Sequence, residues 1–250
     1  MLKTRIIPII LLKKNSVVKT TSFKDERIVG DATACVKIFS SRMADEMIIL
    51  DIDASIRGAI NINLIKRLSK QCFMPLTIGG GIKNMADVDS LFRAGADKIS
   101  LNSVFYKNKN LIKQISEKYG SQAVVFSLDA YCKDSQYFSS SNSGCIIHDI
   151  LAVDAAKMAV NYGAGEILLN SVERDGTMIG YDLQLIEKIS KEVSVPVIAS
   201  GGCGCVDYFS QAVRAGASAV AAGSIFHWVG ESIISIKRHM DDQGISVRLL

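Results

Sequence analysis

The chain has 250 residues, of which 48% are hydrophobic and 22% are charged, and its formal net charge is +4. This apolar content is enough for a large core, whereas the modest, scattered positive charge gives no support for nucleic-acid binding. No apolar run reaches about 18 residues, so we expect no membrane span. The six cysteines and three histidines show no spacing typical of a metal site. We therefore expect a cytoplasmic protein with reduced thiols and without a metal or other cofactor.

Short apolar runs alternate along the chain with segments of helical periodicity. The predicted strands are residues 5–11, 46–51, 75–78, 98–101, 123–128, 166–169, 196–199 and 219–222. Because these runs are apolar almost throughout, they are typical of parallel strands covered on both faces. Eight such strands, alternating with about eight helices, predict an α/β protein with a single (β/α)8 barrel over residues 1–250. An open, doubly wound sheet is the alternative.

Between the strands, capping residues mark the ends of predicted helices. Asn84 is suited to cap the N-terminus of a helix whose apolar face includes Val88 and Leu91. Gly95 and Gly216 follow two helices and are suited to their C-terminal caps.

The second half of the sequence repeats the first at a nearly constant offset of 120 or 121 residues. Residues 46–50, 75–81 and 93–96 recur as residues 166–170, 196–202 and 214–217. A period near half the chain length predicts two half-barrels, about residues 1–120 and 121–250. This duplication favours a closed barrel over the open sheet.

Each half carries a glycine-rich turn between a strand and a helix, and a small polar turn after the next strand. Glycine allows close approach of the backbone to an oxyanion, and a helix start supplies free N–H groups. One such turn is equally compatible with a tight connection, but two in register favour a ligand with a phosphate at each end. The residues are Gly80, Gly81, Asn102 and Ser103 in the first half, and Gly201, Gly202, Gly223 and Ser224 in the second.

Acidic residues occur at the carboxyl ends of the predicted strands, where barrels place their active sites. Asp129 ends the fifth strand and is suited to act as a general acid or base, with a helix cap or loop salt bridge as the alternative. Asp51 closes the second strand, and we count it among the ligand-binding residues. The repeat provides no acid opposite Asp129, because the corresponding residues 8–11 are Pro-Ile-Ile-Leu.

A second group of charges lies at the opposite ends of the strands. Two basic and two acidic residues occupy first positions of strands, which predicts a closed ring of ion pairs at that mouth. The ring is either a charged plug over the core or a gate for something small that crosses the barrel axis. Its members are Arg5, Glu46, Lys98 and Glu166.

These motifs together resemble the cyclase subunit of imidazole glycerol phosphate synthase over essentially the whole chain. The segments that carry the resemblance are residues 5–7, 17–19, 50–52, 79–82, 95–98, 120–125, 163–169, 174–177 and 198–202. The resemblance implies a (β/α)8 barrel paired with a glutaminase subunit. In that family, ammonia passes along the barrel and reacts with a bisphosphorylated substrate, which yields imidazole glycerol phosphate and an aminoimidazole carboxamide ribotide.

The resemblance also implies roles for individual residues. Asp129 corresponds to one of two catalytic aspartates, and Lys19 belongs to a mobile loop over the substrate. The four residues of the charged ring correspond to the ammonia gate of the family. Positions that contact substrate or phosphate correspond to Gly81, Asn102, Ser103, Asp175, Gly176, Gly202, Gly223 and Ser224.

One departure from the family pattern affects the predicted chemistry. The family has an aspartate on its first strand where this chain has Leu11, and leucine cannot transfer a proton. The altered segment around Leu11 resembles paralogues from bacterial surface-polysaccharide gene clusters, which are thought to supply ammonia to a separate amidotransferase that makes acetamidino sugars. We favour this hypothesis. The alternatives are an authentic histidine-pathway cyclase and a phosphate-binding scaffold without turnover.

Overall fold

The computed structural model describes residues 3–249, with twelve strands and nine α-helices in that range. The strands are β1 (Arg5–Lys13), β2 (Ser16–Thr21), β3 (Lys24–Asp31), β4 (Met47–Asp51), β5 (Leu76–Gly79), β6 (Lys98–Leu101), β7 (Val124–Lys133), β8 (Gln136–Ser141), β9 (Ile146–Leu151), β10 (Glu166–Ser171), β11 (Val197–Ser200) and β12 (Ala219–Ala222). The helices are α1 (Ala32–Ser41), α2 (Ala54–Arg57), α3 (Ile62–Ser69), α4 (Met85–Arg93), α5 (Asn110–Tyr119), α6 (Ala152–Asn161), α7 (Leu183–Ser190), α8 (Val206–Arg214) and α9 (Ile233–Asp242).

Eight of these strands are parallel and close into a barrel. The order around it is β1, β4, β5, β6, β7, β10, β11 and β12, and β12 pairs with β1. Each of the eight overlaps a strand predicted from an apolar run, and the predicted (β/α)8 fold is confirmed. The described helices include none that is long and apolar enough to cross a membrane. The division into half-barrels near residue 120 stays a prediction.

Two antiparallel hairpins were not predicted from the sequence. β2 and β3 follow the first barrel strand, and β8 and β9 follow the fifth. The prediction that Asp129 ends its strand is therefore wrong: β7 continues to Lys133, and Asp129 pairs with Ser140 of the hairpin. Strand β8 could not be predicted from the sequence because it is rich in serine and lacks the apolar run of a barrel strand.

The predicted helix caps are confirmed. Asn84 Oδ1 accepts a hydrogen bond from Asp87 N at 3.0 Å at the start of α4. Gly95 and Gly216 follow α4 and α8 with φ of 103° and 111°, in the left-handed region that favours glycine. These caps fix where each helix ends before the chain enters the next barrel strand.

Side chains alternate along each barrel strand between the helices and the barrel interior. In β1, Arg5, Ile7, Ile9 and Leu11 share the inward face, and Ile7 and Ile9 belong to a buried apolar cluster inside the barrel. The other members of this inner cluster are Ile48, Val125, Leu168, Ile198, Ala219 and Ala221. The alternation places the charged residues at one mouth and Leu11 at the other.

Candidate functional site

A cavity of about 50 Å³ lies at the carboxyl ends of the barrel strands. Its apolar lining includes Ile9, Leu50 and Leu168, and the turns of the second half of the chain complete it. The cavity has room for only a few water-sized molecules. The predicted residues that line it are Lys19, Asp175, Gly176, Gly201, Gly202, Gly223 and Ser224.

The hairpin of β2 and β3 carries Lys19 into this cavity. Lys19 is buried, and its Nζ donates a hydrogen bond to Ile9 O at 3.0 Å. The ammonium group lies against Gly223, where a Cβ would be 1.9 Å from Nζ. Burial lowers the pKa of Lys19 to about 8, although the charge of Asp175 opposes this effect. Lys19 therefore occupies the space in front of the second-half turns.

Asp175 ties the same hairpin to the loop after β10. Thr20 Oγ1 donates a hydrogen bond to Asp175 Oδ2 at 2.8 Å, and Ser22 N donates to Asp175 O at 2.8 Å. Gly176 passes so close to the hairpin that a Cβ there would be 1.9 Å from Thr20 O. Burial raises the pKa of Asp175, while Thr20 and Lys19 act in the opposite direction.

Asp129 is buried beside the cavity. Burial raises the pKa of Asp129 to about 7, the charge of Asp175 adds to this effect, and a hydrogen bond from Asn170 opposes it. Asn102 Nδ2 lies 3.2 Å from the Asp129 carboxylate and donates to it. A carboxyl group with a pKa near neutrality is suited to take up and return a proton. The proposed catalytic role of Asp129 is compatible with this environment.

The buried carboxyl group predicts a pH-dependent gain in stability for Asp129→Asn. An aspartate in the unfolded chain loses its proton near pH ~4, whereas folded Asp129 retains it up to about pH 7. Between these values, ionisation favours the unfolded state, so the wild type loses stability as the pH rises. We expect the stabilisation by Asp129→Asn to be roughly 2–3 kcal/mol larger at pH ~8 than at pH ~5, as measured by denaturant unfolding.

Asp134→Asn is the matched control because Asp134 is exposed in the turn between β7, the strand that carries Asp129, and β8. We expect it to change stability little at either pH. A gain for Asp129→Asn that is equal at both pH values would contradict the pKa assignment.

The first-half turns lie outside the cavity lining. Asn102 Nδ2 is already engaged, since it donates to Ser127 O at 2.9 Å and Ser140 O at 3.1 Å in addition to Asp129. Ser103 Oγ accepts a hydrogen bond from Asn142 N at 3.1 Å. Gly80 and Gly81 have φ of 107° and 71° and make the tight turn after β5. The structure thus brings Asn102 to Asp129. The second-half turns line the cavity, whereas the first-half turns do not.

Asp51 has an ion-pair partner that was not predicted. Arg57 NH2 lies 2.7 Å from Asp51 Oδ2, and Arg57 NH1 lies 2.8 Å from Asp53 Oδ2. The hydrogen bond with Asp51 is the main cause of the raised pKa of Arg57. The i, i+4 spacing of Asp53 and Arg57 is the signal that could have revealed this pairing. A single guanidinium group thus pairs with the last residue of β4 and with the acid two residues after it.

Leu11 lies at the cavity in the inward row of β1. It pairs in register with Leu50, and both side chains pack against the inner cluster. The position at which the resemblance implies an aspartate is therefore apolar and has an apolar neighbour.

At the opposite mouth, the predicted ring of ion pairs is confirmed. Arg5 contacts Glu46 at 2.6 Å and Glu166 at 2.7 Å, and Lys98 contacts them at 3.1 Å and 2.9 Å. Burial by itself would lower the pKa of Arg5, but the two glutamates outweigh it and the pKa is raised. Each charge has two opposite partners, so the ring closes the mouth without an unpaired charge.

Inside the ring, polar side chains continue toward the inner cluster. Ser100 follows Lys98 by two residues on the same face of β6, and Thr77 pairs with Lys98 on the adjacent strand. Both are buried, and Ser100 Oγ has no hydrogen-bond partner among residues 3–249. The barrel interior thus offers a hydroxyl group immediately after the ion pairs.

Asn170 was missed as a site residue. It lines the cavity and pairs in register with Asp129 across the seam between β10 and β7. The repeat held the signal, because Asn170 corresponds to Leu50, and both residues line the cavity. When only one of two repeat-related positions is polar, the polar residue is expected to have a role in its own half of the barrel.

Fold and site together define a (β/α)8-barrel protein with a ligand cavity at one mouth and a closed ion-pair ring at the other. A profile of the histidine biosynthesis protein family matches residues 5–230. The chain belongs to this family.

Curated relatives agree over the full length. A Campylobacter jejuni protein, provisionally named imidazole glycerol phosphate synthase subunit hisF2, is 40% identical over 255 residues, with 100% of both chains covered. Imidazole glycerol phosphate synthase subunit HisF of Endomicrobium trichonymphae is 42% identical, with 99% of this chain and 96% of the relative covered. Subunit HisF of Bacillus cereus is 41% identical, with 100% of both chains covered.

Proposed function

We propose that this chain is the cyclase-type, ammonia-accepting subunit of a glutamine-dependent amidotransferase. The observation that carries the proposal is the closed ring of Arg5, Glu46, Lys98 and Glu166 on the axis of a barrel whose opposite mouth holds the cavity. Buried ion pairs often contribute little net stability, so a stable plug gives little reason for this charged set. A gate that admits ammonia from a docked glutaminase accounts for it.

At the cavity, the proposed ligand is a phosphorylated small molecule. Lys19 lies against the second-half turn at Gly223, and its ammonium group is the charge that would pair with a phosphate there. Binding therefore requires the hairpin of β2 and β3 to move. A second phosphate at Gly81 and Ser103 requires rearrangement of the Asn102 contacts, and Asp129 lies between the two sites as the proton-transferring group.

Leu11 favours the paralogue over the cyclase of histidine biosynthesis. Without an acid at that position, the subunit acts in the cytoplasm and passes ammonia to a separate amidotransferase. That amidotransferase makes acetamidino sugars for surface polysaccharide. The second candidate is the authentic cyclase, a lyase-type activity. It is favoured by Asp175, a second carboxylate whose charge acts on Asp129. A phosphate-binding scaffold without turnover is the third candidate.

The test is to mix the chain with its cognate glutaminase and to measure complex formation and glutamine hydrolysis. We expect a heterodimer and faster glutamine hydrolysis in the complex than in the isolated glutaminase. Failure of the wild-type chain to bind this glutaminase would overturn the proposal and leave the ring as a structural plug.

A further inference from the structure

One buried acceptor in the cavity is left without a donor. Asn170 Oδ1 is buried and has no hydrogen-bond partner in residues 3–249. A Cβ at Gly201 would lie 2.6 Å from this oxygen, so the turn beside it needs a glycine to leave room. A buried polar atom without a partner is unfavourable because it has lost its hydrogen bonds to water. Such an atom in a ligand cavity is a place where a ligand with a donor group would gain free energy.

The two ends of the Asn170 amide face different groups. The side chain of Asn170 faces Asp129, the residue opposite it in register, and its proximity lowers the pKa of that carboxyl group. Above its pKa of about 7, the Asp129 carboxylate only accepts hydrogen bonds, so the nitrogen is the end of the amide that faces it. The oxygen is consequently the end that is available to a ligand in the cavity.

The position of Asn170 on β10 connects it to the ring. Glu166, Leu168 and Asn170 alternate on one face of the strand, and they are respectively a ring member, a member of the inner cluster and a cavity residue. At roughly 3.3 Å per residue, the amide lies about 13 Å along the strand from the ring. A molecule that passes the ring and follows this face meets the Asn170 oxygen as it enters the cavity.

The chemistry of the cavity restricts the molecule that fits. The space admits only a few water-sized molecules, and the ammonium group of Lys19, together with the apolar walls of Ile9, Leu50 and Leu168, disfavours a second cation such as ammonium. A small neutral molecule with N–H donors satisfies both conditions. Resting on the proposed function, we propose that Asn170 Oδ1 accepts a hydrogen bond from neutral ammonia and holds it at the cavity end of the barrel. The nitrogen lone pair then remains free to attack a ligand.

The experiment follows the side-chain amide signals of Asn170 by nuclear magnetic resonance in the full-length chain. Ammonium chloride is titrated at pH ~9, where much of it is ammonia, and at pH ~7, where nearly all is ammonium, with sodium chloride as the reference salt at each pH. We expect the Asn170 signals to shift progressively with ammonium chloride at the higher pH and to shift several-fold less at the lower pH. No shift, or shifts equal to those with sodium chloride, would overturn the inference.

Two variants complete the experiment. Asn170→Ala identifies the signals by their loss. Ser171→Ala is the matched control, since Ser171 is the next residue of β10, is also buried with a hydroxyl that lacks a partner in the described chain, and points to the other face. We expect Ser171→Ala to retain the Asn170 response, and loss of the response in this variant would assign it to general perturbation of the strand.

Glutaminase binding separates this inference from the function on which it rests. If the chain binds its glutaminase and the Asn170 signals do not respond to ammonia, the holding site is wrong and the function stands. If the signals respond and no glutaminase binds, ammonia binding stands and the amidotransferase role is wrong.

Discussion

With free ammonia and the bisphosphorylated substrate of the family, this chain is expected to form imidazole glycerol phosphate about two to four orders of magnitude more slowly than a HisF relative that has an aspartate at the position of Leu11. The cavity has Leu11 and Leu50 side by side at this position, and neither can transfer a proton. Asp129 remains at the mouth as a buried acid with a pKa near neutrality. Steady-state product formation by both proteins under the same conditions is the measurement.

Two variants sharpen this test. We expect Leu11→Asp to raise the rate of product formation, although apolar neighbours will raise the pKa of the new carboxyl group. Leu11→Asn introduces a side chain of nearly the same shape as aspartate but without a charge. It is the control for the effect of a polar side chain at this position. A wild-type rate comparable to that of the relative would instead support the authentic cyclase, with Asp175 as the second acid.

The second large effect is expected at the ring. In the complex with glutaminase, Glu46→Ala and Lys98→Ala should lower nitrogen transfer from glutamine by about tenfold or more, equivalent to ~1.4 kcal/mol or more. Each substitution leaves its former partners with one opposite charge instead of two, so the mouth no longer has a defined closed state. Breaking a buried pair costs up to about 3–5 kcal/mol of stability. We expect less here because one partner remains for each neighbouring charge.

The measurements are nitrogen transfer with glutamine and with free ammonia, together with denaturant unfolding. Lys118→Ala removes an exposed ion pair with Asp89 on the outer helices and is the matched control. It should leave nitrogen transfer unchanged. Equal losses in transfer and in stability for the ring variants, or an equal loss with free ammonia added at the cavity mouth, would count against a gate and favour a plug.

Several features of this protein follow from the sequence by itself. The eight barrel strands could be predicted because both of their faces are buried, which makes each run apolar throughout. The ion-pair ring could also be predicted, since first positions of parallel strands meet at one mouth and four charges of balanced sign must pair there. The absence of an acid at Leu11 is equally a property of the sequence. These features depend on local pattern and on the closure of the barrel.

Other features were decided only by the tertiary structure. The hairpin strand β8 is polar, so its pairing with β7 and the resulting interior position of Asp129 depend on contacts beyond the barrel rim. The shifted pKa values of Lys19 and Asp129 arise from burial by segments distant in the chain. Asn102 appeared free to bind an anion, yet three acceptors from β7 and β8 engage its amide. Hydrogen-bond partners and burial are set by residues that meet in space, and no local pattern records which residues those will be.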